Sequence, residues 1–196
     1  MNEENMTHGS DYQFLPQFEP SKIDELAKRY DSKEDEEPLQ AGRAIQNGDH
    51  SRANVMKIFE WKTGGRGRTR LSGNTDIEIA DALRIAVEAK TDRASVAVLC
   101  GLNGVAVPVA SAILTAIDPS RYTIIDFRAL EALGYTGSDR TIDFYLAYLS
   151  KCRNFAKEYK VSLRDLDRAL WQWSKDRSDV KEQRRISGPT TEAQHG

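Results

Sequence analysis

The residues of this sequence best suited to chemistry lie between positions 102 and 126, where a turn containing glycine precedes a carboxylate. Helical patterns on both sides of the turn predict two short helices, and Pro108 fits the first turn of the second one. The first N–H groups of a helix lack intrahelical acceptors, and with the helix dipole they bind anions such as phosphate. The sequence therefore predicts a phosphate-binding turn formed by Leu102, Asn103, Gly104, Val105, Ala106 and Val107.

Asp126 follows the extended run 122–125 and begins a predicted helix that ends at Gly134. One role open to it is that of an N-cap, which accepts a hydrogen bond from the first turn of that helix. The other role is catalytic, because cleavage of an N-glycosidic bond develops positive charge on the deoxyribose, which a fixed carboxylate stabilises. At about 4 Å and an effective dielectric constant of about 20, this attraction amounts to about 4 kcal/mol. The two roles are compatible, since a capping carboxylate is already held in place.

A basic segment over residues 63–70 alternates arginine with small residues and directly follows Trp61 and Lys62. Cations at this spacing can follow a phosphate backbone, although a solvated flexible loop has the same composition. Each neutralised phosphate changes the slope of log affinity against log salt by about −0.9, so three arginines predict about −2.7. The residues that we expect to contact nucleic acid are the lysine before this segment and its three arginines: Lys62, Arg66, Arg68 and Arg70.

Aromatic residues are candidates for the walls of a base pocket. An enzyme that acts on a base in duplex DNA must extrude the nucleotide, and it holds the base against aromatic or polar side chains. Trp61, Tyr145 and Tyr148 are the candidates here, and packing in the core is the alternative role for each. The three histidines show no spacing that indicates zinc or a catalytic triad, so no metal site is predicted.

The segment 95–134 resembles the helix-hairpin-helix DNA glycosylase superfamily, which includes endonuclease III-like and adenine-mismatch glycosylases. The family pattern is a Leu-x-Gly-Val-Gly hairpin, a second helix containing alanine, and an aspartate further along the chain. Asp126 lies 24 residues after Leu102, which matches the family spacing. The hairpin and second-helix positions are occupied by Leu102, Gly104, Val105, Ala110 and Leu114.

This resemblance implies an all-α, bilobal helical bundle whose hairpin spans residues 94–117. It implies a DNA glycosylase that binds double-stranded DNA and hydrolyses the N-glycosidic bond of an extruded, damaged or modified base, with Asp126 as the catalytic residue. Repair of damaged DNA and attack on chemically modified foreign DNA fit the sequence equally well.

Three departures from the family pattern refine this expectation. Ala106 replaces the second hairpin glycine, which restricts the backbone and alters a phosphate or cation contact. Pro108 stands where bifunctional members carry a Schiff-base lysine, which implies a monofunctional hydrolase without strand cleavage from this position. The cysteine ligands of the iron–sulfur cluster found in some members are absent, so no cofactor is expected beyond a monovalent cation at the hairpin.

Two other functions remain open at this stage. A non-catalytic DNA-binding module would keep the hairpin and use Asp126 only as a helix cap, and Ala106 and the short chain favour it. An interaction protein would use its basic C-terminal region to contact an acidic partner. A pocket beside Asp126 distinguishes the enzyme, since only the enzyme must hold a base.

Helical periodicity extends over residues 21–177, which we expect to form one glycosylase-like domain. Residues 1–20 are polar and acidic and predict a flexible N-terminal segment. Within it, four side chains could pack on the core: Tyr12, Phe14, Leu15 and Phe18. The acidic run 31–37 predicts a linker, and residues 178–196 lose apolar periodicity and predict a disordered basic tail.

Composition bounds these interpretations. The chain has 196 residues, 39% hydrophobic and 30% charged, which fits one globular unit. Its two cysteines exclude a disulfide scaffold and a thiolate zinc finger. The formal charge of −2 conceals a net −7 over residues 1–50, +5 over 51–75 and +4 over 151–196. Screening confines these fields to about 10 Å, so the basic regions can attract a polyanion despite the total charge.

Residues 94–117 carry no formal charge and are long enough to be tested as a membrane span. Gly101, Asn103, Gly104 and Pro108 interrupt the segment, so we do not expect it to cross a membrane. The first residues show no secretory signal pattern. We therefore expect a cytoplasmic protein, associated with the nucleoid if the source is prokaryotic, and favour a monomer.

Overall fold

The structure is a computed structural model that describes residues 12–186, with side chains described up to residue 180. The described residues form ten α-helices and two short 3₁₀ helices, with no β-strand among them, which confirms the predicted all-α class. The α-helices are α1 (Ile23–Arg29), α2 (Glu36–Gln46), α3 (Arg52–Thr63), α4 (Arg68–Ser72), α5 (Asp76–Glu88), α6 (Asp92–Cys100), α7 (Val107–Ile117), α8 (Phe127–Ala132), α9 (Ile142–Tyr159) and α10 (Leu163–Ile186).

Short polar side chains determine where several helices begin. Thr75 Oγ1 accepts a hydrogen bond from the N–H of Glu78 at 3.2 Å, and the Glu78 carboxylate accepts one from the N–H of Thr75 at 2.6 Å. The predicted capping box of α5 is therefore present. Thr91 and Thr141 cap α6 and α9 through N–H groups three residues further on. Each such cap stabilises its helix by about 1 kcal/mol.

Helix α7 forms the centre of the first group of helices, and every residue from Val109 to Ile117 is buried. It packs against α2, α3 and α6. A Cβ added to Gly42 of α2 would lie 2.0 Å from the carbonyl oxygen of Ala116, so only glycine allows this crossing. Within residues 12–186, no helix is both long and apolar enough to cross a membrane.

Helix α10 organises the second group and packs against α1, α8 and α9. Its buried face includes Leu163, Leu166 and Leu170. The segment 118–126 connects the two groups, because it leaves the C-terminus of α7 and leads into α8. The residues that precede Asp126 therefore run between the helices that surround α7 and those that surround α10.

The prediction that residues 31–37 form a linker is wrong. Ser32–Asp35 form a 3₁₀ helix, and Glu36 begins α2. Asp35 is fully buried, and its carboxylate accepts hydrogen bonds from Arg164 at 2.5 Å and Arg168 at 2.9 Å. A charge can be buried when partners far away in the sequence neutralise it, and local composition does not reveal those partners.

The N-terminal segment packs on the domain from residue 12 onwards, which corrects the expected flexibility for residues 12–20. The N–H of Leu15 donates to the carbonyl of Leu133 at 3.0 Å, and that of Gln17 to Ala132 at 2.9 Å. Phe14 is buried among the rings of Tyr135, Phe144 and Tyr148. The expected packing of this aromatic side chain is therefore confirmed.

The C-terminal helix α10 continues to Ile186, so the predicted start of a disordered tail at residue 178 is wrong. No glycine or proline interrupts the helix before Gly188. Ser178 also contributes a tertiary contact, since its Oγ accepts a hydrogen bond from Arg128 at 3.3 Å. The expectations for residues 1–11 and 187–196 lie outside the described residues.

Candidate active site

A cavity of about 130 Å³ lies between α3 and α10, with the N-terminus of α8 in its wall. This volume is well above the 10–15 Å³ or so that one water molecule needs, so the cavity can hold a larger chemical group. Its wall combines aromatic rings with both signs of charge. The lining residues are Tyr30, Glu34, Trp61, Lys62, Ile124, Asp126, Ala129, Arg164, Asp167, Arg168 and Trp171.

Asp126 lies in this wall as the N-cap of α8. Its Oδ1 accepts a hydrogen bond from the N–H of Ala129 at 2.9 Å, which confirms the predicted cap. Its Oδ2 accepts a hydrogen bond from Nζ of Lys62 at 3.1 Å. The side chains of Asp126 and Lys62 are 20% and 14% exposed, so the pair is mostly desolvated but open to the cavity. The sequence analysis placed Lys62 with three arginines as a nucleic-acid contact, but its side chain lines the cavity, whereas the arginines are exposed.

The extended segment before Asp126 is held by side chains from the surrounding helices. Tyr122 donates its hydroxyl to Ser95 at 3.1 Å, and the N–H of Ile125 donates to Ser111 Oγ at 3.1 Å. Ser111 Oγ in turn donates to the carbonyl of Pro108 at 2.8 Å. These bonds connect the residue next to Asp126 with the first turn of α7, and they fix the position of the carboxylate.

Tyr145 and Tyr148 belong to this support and not to the cavity wall, which corrects their assignment as base-pocket residues. Both are completely buried, and their hydroxyls donate to the carbonyls of Thr123 at 3.1 Å and Ile124 at 2.8 Å. Burial raises the pKa of both phenols well above the ordinary value. They are neutral donors that satisfy the backbone before Asp126.

A buried ionic network forms the floor of the cavity on the α10 side, and the sequence did not reveal it. Arg164 donates to both Asp35 and Asp167. Asp167 Oδ1 also accepts hydrogen bonds from Thr123 Oγ1 at 3.0 Å and from the N–H of Ile124 at 3.3 Å. Burial raises the pKa of Asp167, against the opposing charge of Arg164. The i, i+3 spacing of Arg164 and Asp167 was the only local feature of the sequence that pointed to this network.

The aromatic part of the wall contains one residue that the sequence identified, Trp61, and two that it missed. The rings of Tyr30 and Trp171 meet edge to face with their centroids 5.2 Å apart. The Arg164 guanidinium lies 5.8 Å from the centre of the Trp61 ring. These rings come from α3, from the end of α1 and from α10, so no local pattern could have grouped them. Flat aromatic faces of this kind can stack on a planar ligand.

The turn between α6 and α7 has exposed residues at Asn103, Gly104 and Ala106, while its larger apolar side chains are buried. Leu102, Val105 and Val107 are buried, so their side chains cannot contact a ligand. Gly104 adopts a left-handed conformation with φ of 84°, whereas Ala106 is extended, so alanine at this position causes no backbone strain. Within the described residues, the amides of Gly104, Ala106 and Val107 have no hydrogen-bond acceptor. The arrangement can bind an anion through the backbone.

The basic segment forms a tight turn followed by helix α4, and it is not a flexible loop. Arg66 donates to the carbonyl of Thr63 at 3.1 Å, and Arg68 pairs with Glu60 at 2.8 Å. Arg70 is exposed and has no ion pair among the described residues. A Cβ at Gly104 would lie 2.9 Å from the Leu71 amide nitrogen and 3.0 Å from Cβ of Arg70, so the turn and α4 form one continuous surface.

Metal ligands are not grouped in the described part of the chain, where no three histidine, cysteine, aspartate or glutamate side chains are placed to hold an ion. The two thiols are free, with Cys152 buried and Cys100 half-buried. The side chains that line the cavity supply carboxylates, an amine, guanidinium groups and aromatic rings. Comparison of the chain with protein-family models, curated proteins and solved structures gave no match.

Proposed function

We propose that this protein is a helix-hairpin-helix DNA glycosylase, with α6, the turn 101–106 and α7 as the hairpin. In this proposal the protein binds double-stranded DNA and takes an extruded, damaged or modified base into the cavity. It then hydrolyses the N-glycosidic bond with water. Asp126 stabilises the positive charge that develops on the deoxyribose, and it orients the attacking water.

The observation that carries this proposal is the position of the Asp126 carboxylate in the wall of a cavity that also contains Trp61, Tyr30 and Trp171. A glycosylase needs a fixed negative charge beside a space that accepts a planar base. The N-cap bond and the anchored segment before Asp126 hold the charge in place before substrate binds. Such preorganisation is the main source of electrostatic catalysis.

The surface formed by the turn and α4 supplies the proposed grip on DNA. The free amides of Gly104, Ala106 and Val107 would receive one phosphate, while Arg70 and then Arg66 and Arg68 would neutralise its neighbours. Arg66 and Arg68 must first leave their partners in the free protein, so Arg70 contributes most. Pro108 has no amine, so the hairpin itself supplies no Schiff-base nucleophile. The proposal requires no cofactor, and a monovalent cation at the turn would act only on phosphate binding.

One observation favours the alternative, a DNA-binding module without catalysis. Both oxygens of Asp126 are engaged, one by the N–H of Ala129 and the other by Lys62. The Lys62 ammonium offsets part of the carboxylate's field, so full stabilisation of a cationic sugar requires this amine to turn away or lose its proton. In the alternative function, the pair is a structural ion pair in the wall of the cavity.

A panel of duplexes, each with one oxidised, alkylated, deaminated or mismatched base, distinguishes these functions. The free base is quantified by chromatography and mass spectrometry, and abasic sites are revealed by strand cleavage in alkali. We expect base release from at least one duplex. Binding of every duplex without release from any would support the non-catalytic module and reject the glycosylase.

A further inference from the structure

Among the described residues that line the cavity, Lys62 is the only lysine. It lies in the last turn of α3, which ends at a left-handed Gly64 with φ of 60°. Thr63 Oγ1 donates to the carbonyl of Phe59 at 2.8 Å and closes the same turn. The backbone that carries Lys62 is therefore well held, and only 14% of its side chain is exposed.

The short distance between Lys62 and Asp126 sets where the amine can act. If the Asp126 carboxylate stabilises the cationic sugar, it lies beside C1′ of the nucleotide. Nζ of Lys62 is 3.1 Å from Oδ2 of Asp126, so the amine lies within a few ångströms of the same carbon. After the base has left, C1′ of the abasic sugar is in equilibrium with an open aldehyde, and an amine reacts with an aldehyde to form a Schiff base.

We propose that Lys62 is a nucleophile towards the abasic sugar and gives the protein a second activity, cleavage of the DNA strand by β-elimination. This inference rests on the proposed glycosylase function, because that function places Asp126 at C1′. Pro108 excludes a Schiff base only at the hairpin, whereas Lys62 belongs to α3 and lines the cavity.

The reaction balances without an oxidant or a reductant. The Lys62 ammonium first gives a proton to Oδ2 of Asp126, and the free amine then forms the N–C1′ bond as the C1′=O π bond breaks. A proton moves from the nitrogen to that oxygen to give a carbinolamine, which takes the proton back from Asp126 and loses water to give an iminium ion. Water then takes a proton from C2′, the electron pair of that C–H bond forms the C2′–C3′ double bond, and the C3′–O bond breaks with departure of the 3′ phosphate. Water hydrolyses the iminium ion and restores the Lys62 amine. Asp126 is the carboxylate that takes the proton from Nζ and returns it for the loss of water, since Oδ2 lies 3.1 Å from Nζ.

Borohydride trapping tests this activity independently of base release. The full chain is incubated with a duplex that already contains an abasic site, and sodium borohydride reduces any iminium ion to a stable protein–DNA bond. We expect a covalent complex, with peptide mapping placing the DNA remnant on Lys62. Lys62→Arg keeps a cation beside Asp126 but cannot form the Schiff base, so trapping and strand cleavage without alkali should be lost. Lys57→Arg, an exposed position on the same helix, should trap like the wild type.

Each result decides the inference. Trapping that maps to another amine, or that persists in Lys62→Arg, would overturn it, and so would a wild-type protein that binds the abasic duplex without being trapped. If Lys62→Arg fails to fold by circular dichroism, the peptide map of the wild-type complex gives the answer alone. Base release from the panel without trapping rejects only the role of Lys62. Trapping on Lys62 without base release rejects the glycosylase and retains the amine chemistry.

Discussion

Asn74 and Asn103 are paired in both directions across the surface formed by the turn and α4. The N–H of Asn103 donates to Asn74 Oδ1 at 2.8 Å, and Asn74 Nδ2 donates to the carbonyl of Asn103 at 3.0 Å. Asn74 Nδ2 also donates to the carbonyl of Leu71 at 2.8 Å, which ties the end of α4 into the same arrangement. One nearly buried side chain thus joins the proposed phosphate-binding turn to the arginines.

Asn74→Ala should separate these two parts of the surface. Loss of the side chain leaves the N–H and the carbonyl of Asn103 without partners, whereas the Leu71 carbonyl still accepts from the N–H of residue 74 at 3.2 Å. We expect a cost of about 1–3 kcal/mol in the free energy of unfolding. We also expect weaker binding to duplex DNA, because the turn and Arg70 lose their fixed spacing. Denaturant unfolding and fluorescence anisotropy measure the two effects. Asn47→Ala is the matched control, since its side chain makes no hydrogen bond within the described residues. Unchanged affinity in Asn74→Ala would show that binding does not use this surface.

Replacement of the three arginines should change the salt dependence of DNA binding. The variant Arg66→Gln/Arg68→Gln/Arg70→Gln should reduce the magnitude of the log–log slope by about 2.7. Arg70→Gln alone should reduce the magnitude of this slope by about 0.9. It should also cause the largest loss of affinity among the three single variants, since Arg66 and Arg68 are already engaged with Thr63 and Glu60. Titrations at several salt concentrations give the slope, with the exposed Arg43→Gln as the control. A slope equal to that of the wild type would remove α4 from the interface.

Asp126→Asn should abolish base release while leaving the fold and DNA binding nearly unchanged. An asparagine caps a helix about as well as an aspartate, so the bond from Ala129 can remain. Loss of the charge removes about 4 kcal/mol of stabilisation, or about a thousandfold in rate. Single-turnover release of the base measures this effect, and Asp24→Asn, at an exposed position of α1, serves as the control. Unimpaired release by Asp126→Asn would reduce Asp126 to a helix cap.

Tyr148→Phe should make stability less sensitive to alkaline pH. Burial raises the pKa of Tyr148 in the folded state, whereas the pKa of a tyrosine in an unfolded chain is about 10. The contribution of Tyr148 to the free energy of unfolding is therefore fully present below a pH of about 10 and is lost as pH rises above that value. Above it, the free energy of unfolding falls by about 1.4 kcal/mol per pH unit for each such group. Unfolding in urea at a series of pH values measures the slope.

At neutral pH the same substitution removes the hydrogen bond to the Ile124 carbonyl, which should lower the free energy of unfolding by about 1 kcal/mol or more. Tyr145→Phe should reduce the alkaline sensitivity in the same way, since that phenol is buried and donates to Thr123. The variant Tyr145→Phe/Tyr148→Phe combines both changes. If its free energy of unfolding falls as steeply at alkaline pH as that of the wild type, groups other than these two phenols cause the loss of stability.

Much of the helical organisation could be predicted because it depends on local sequence. Apolar residues at helical spacing placed most of the helices correctly, and capping residues such as Thr75 and Asp126 located their first turns. Two local inferences were wrong for the same physical reason. The acidic run 31–37 and the segment that begins at residue 178 lack an apolar pattern in the sequence, but Asp35 and Ser178 have partners far away in the chain. Asp35 is neutralised by Arg164 and Arg168, and Ser178 accepts a bond from Arg128.

The sequence by itself determined the all-α class, the turn before Pro108 and the place of Asp126 at the start of a helix, because periodicity, backbone freedom and capping act over a few residues. Only the tertiary structure decided what surrounds that carboxylate. Lys62 reaches it from α3, while Tyr30 and the ionic network of Arg164 close the cavity from α1 and α10. Such contacts depend on how helices far apart in the chain pack together, and no local spacing encodes that packing.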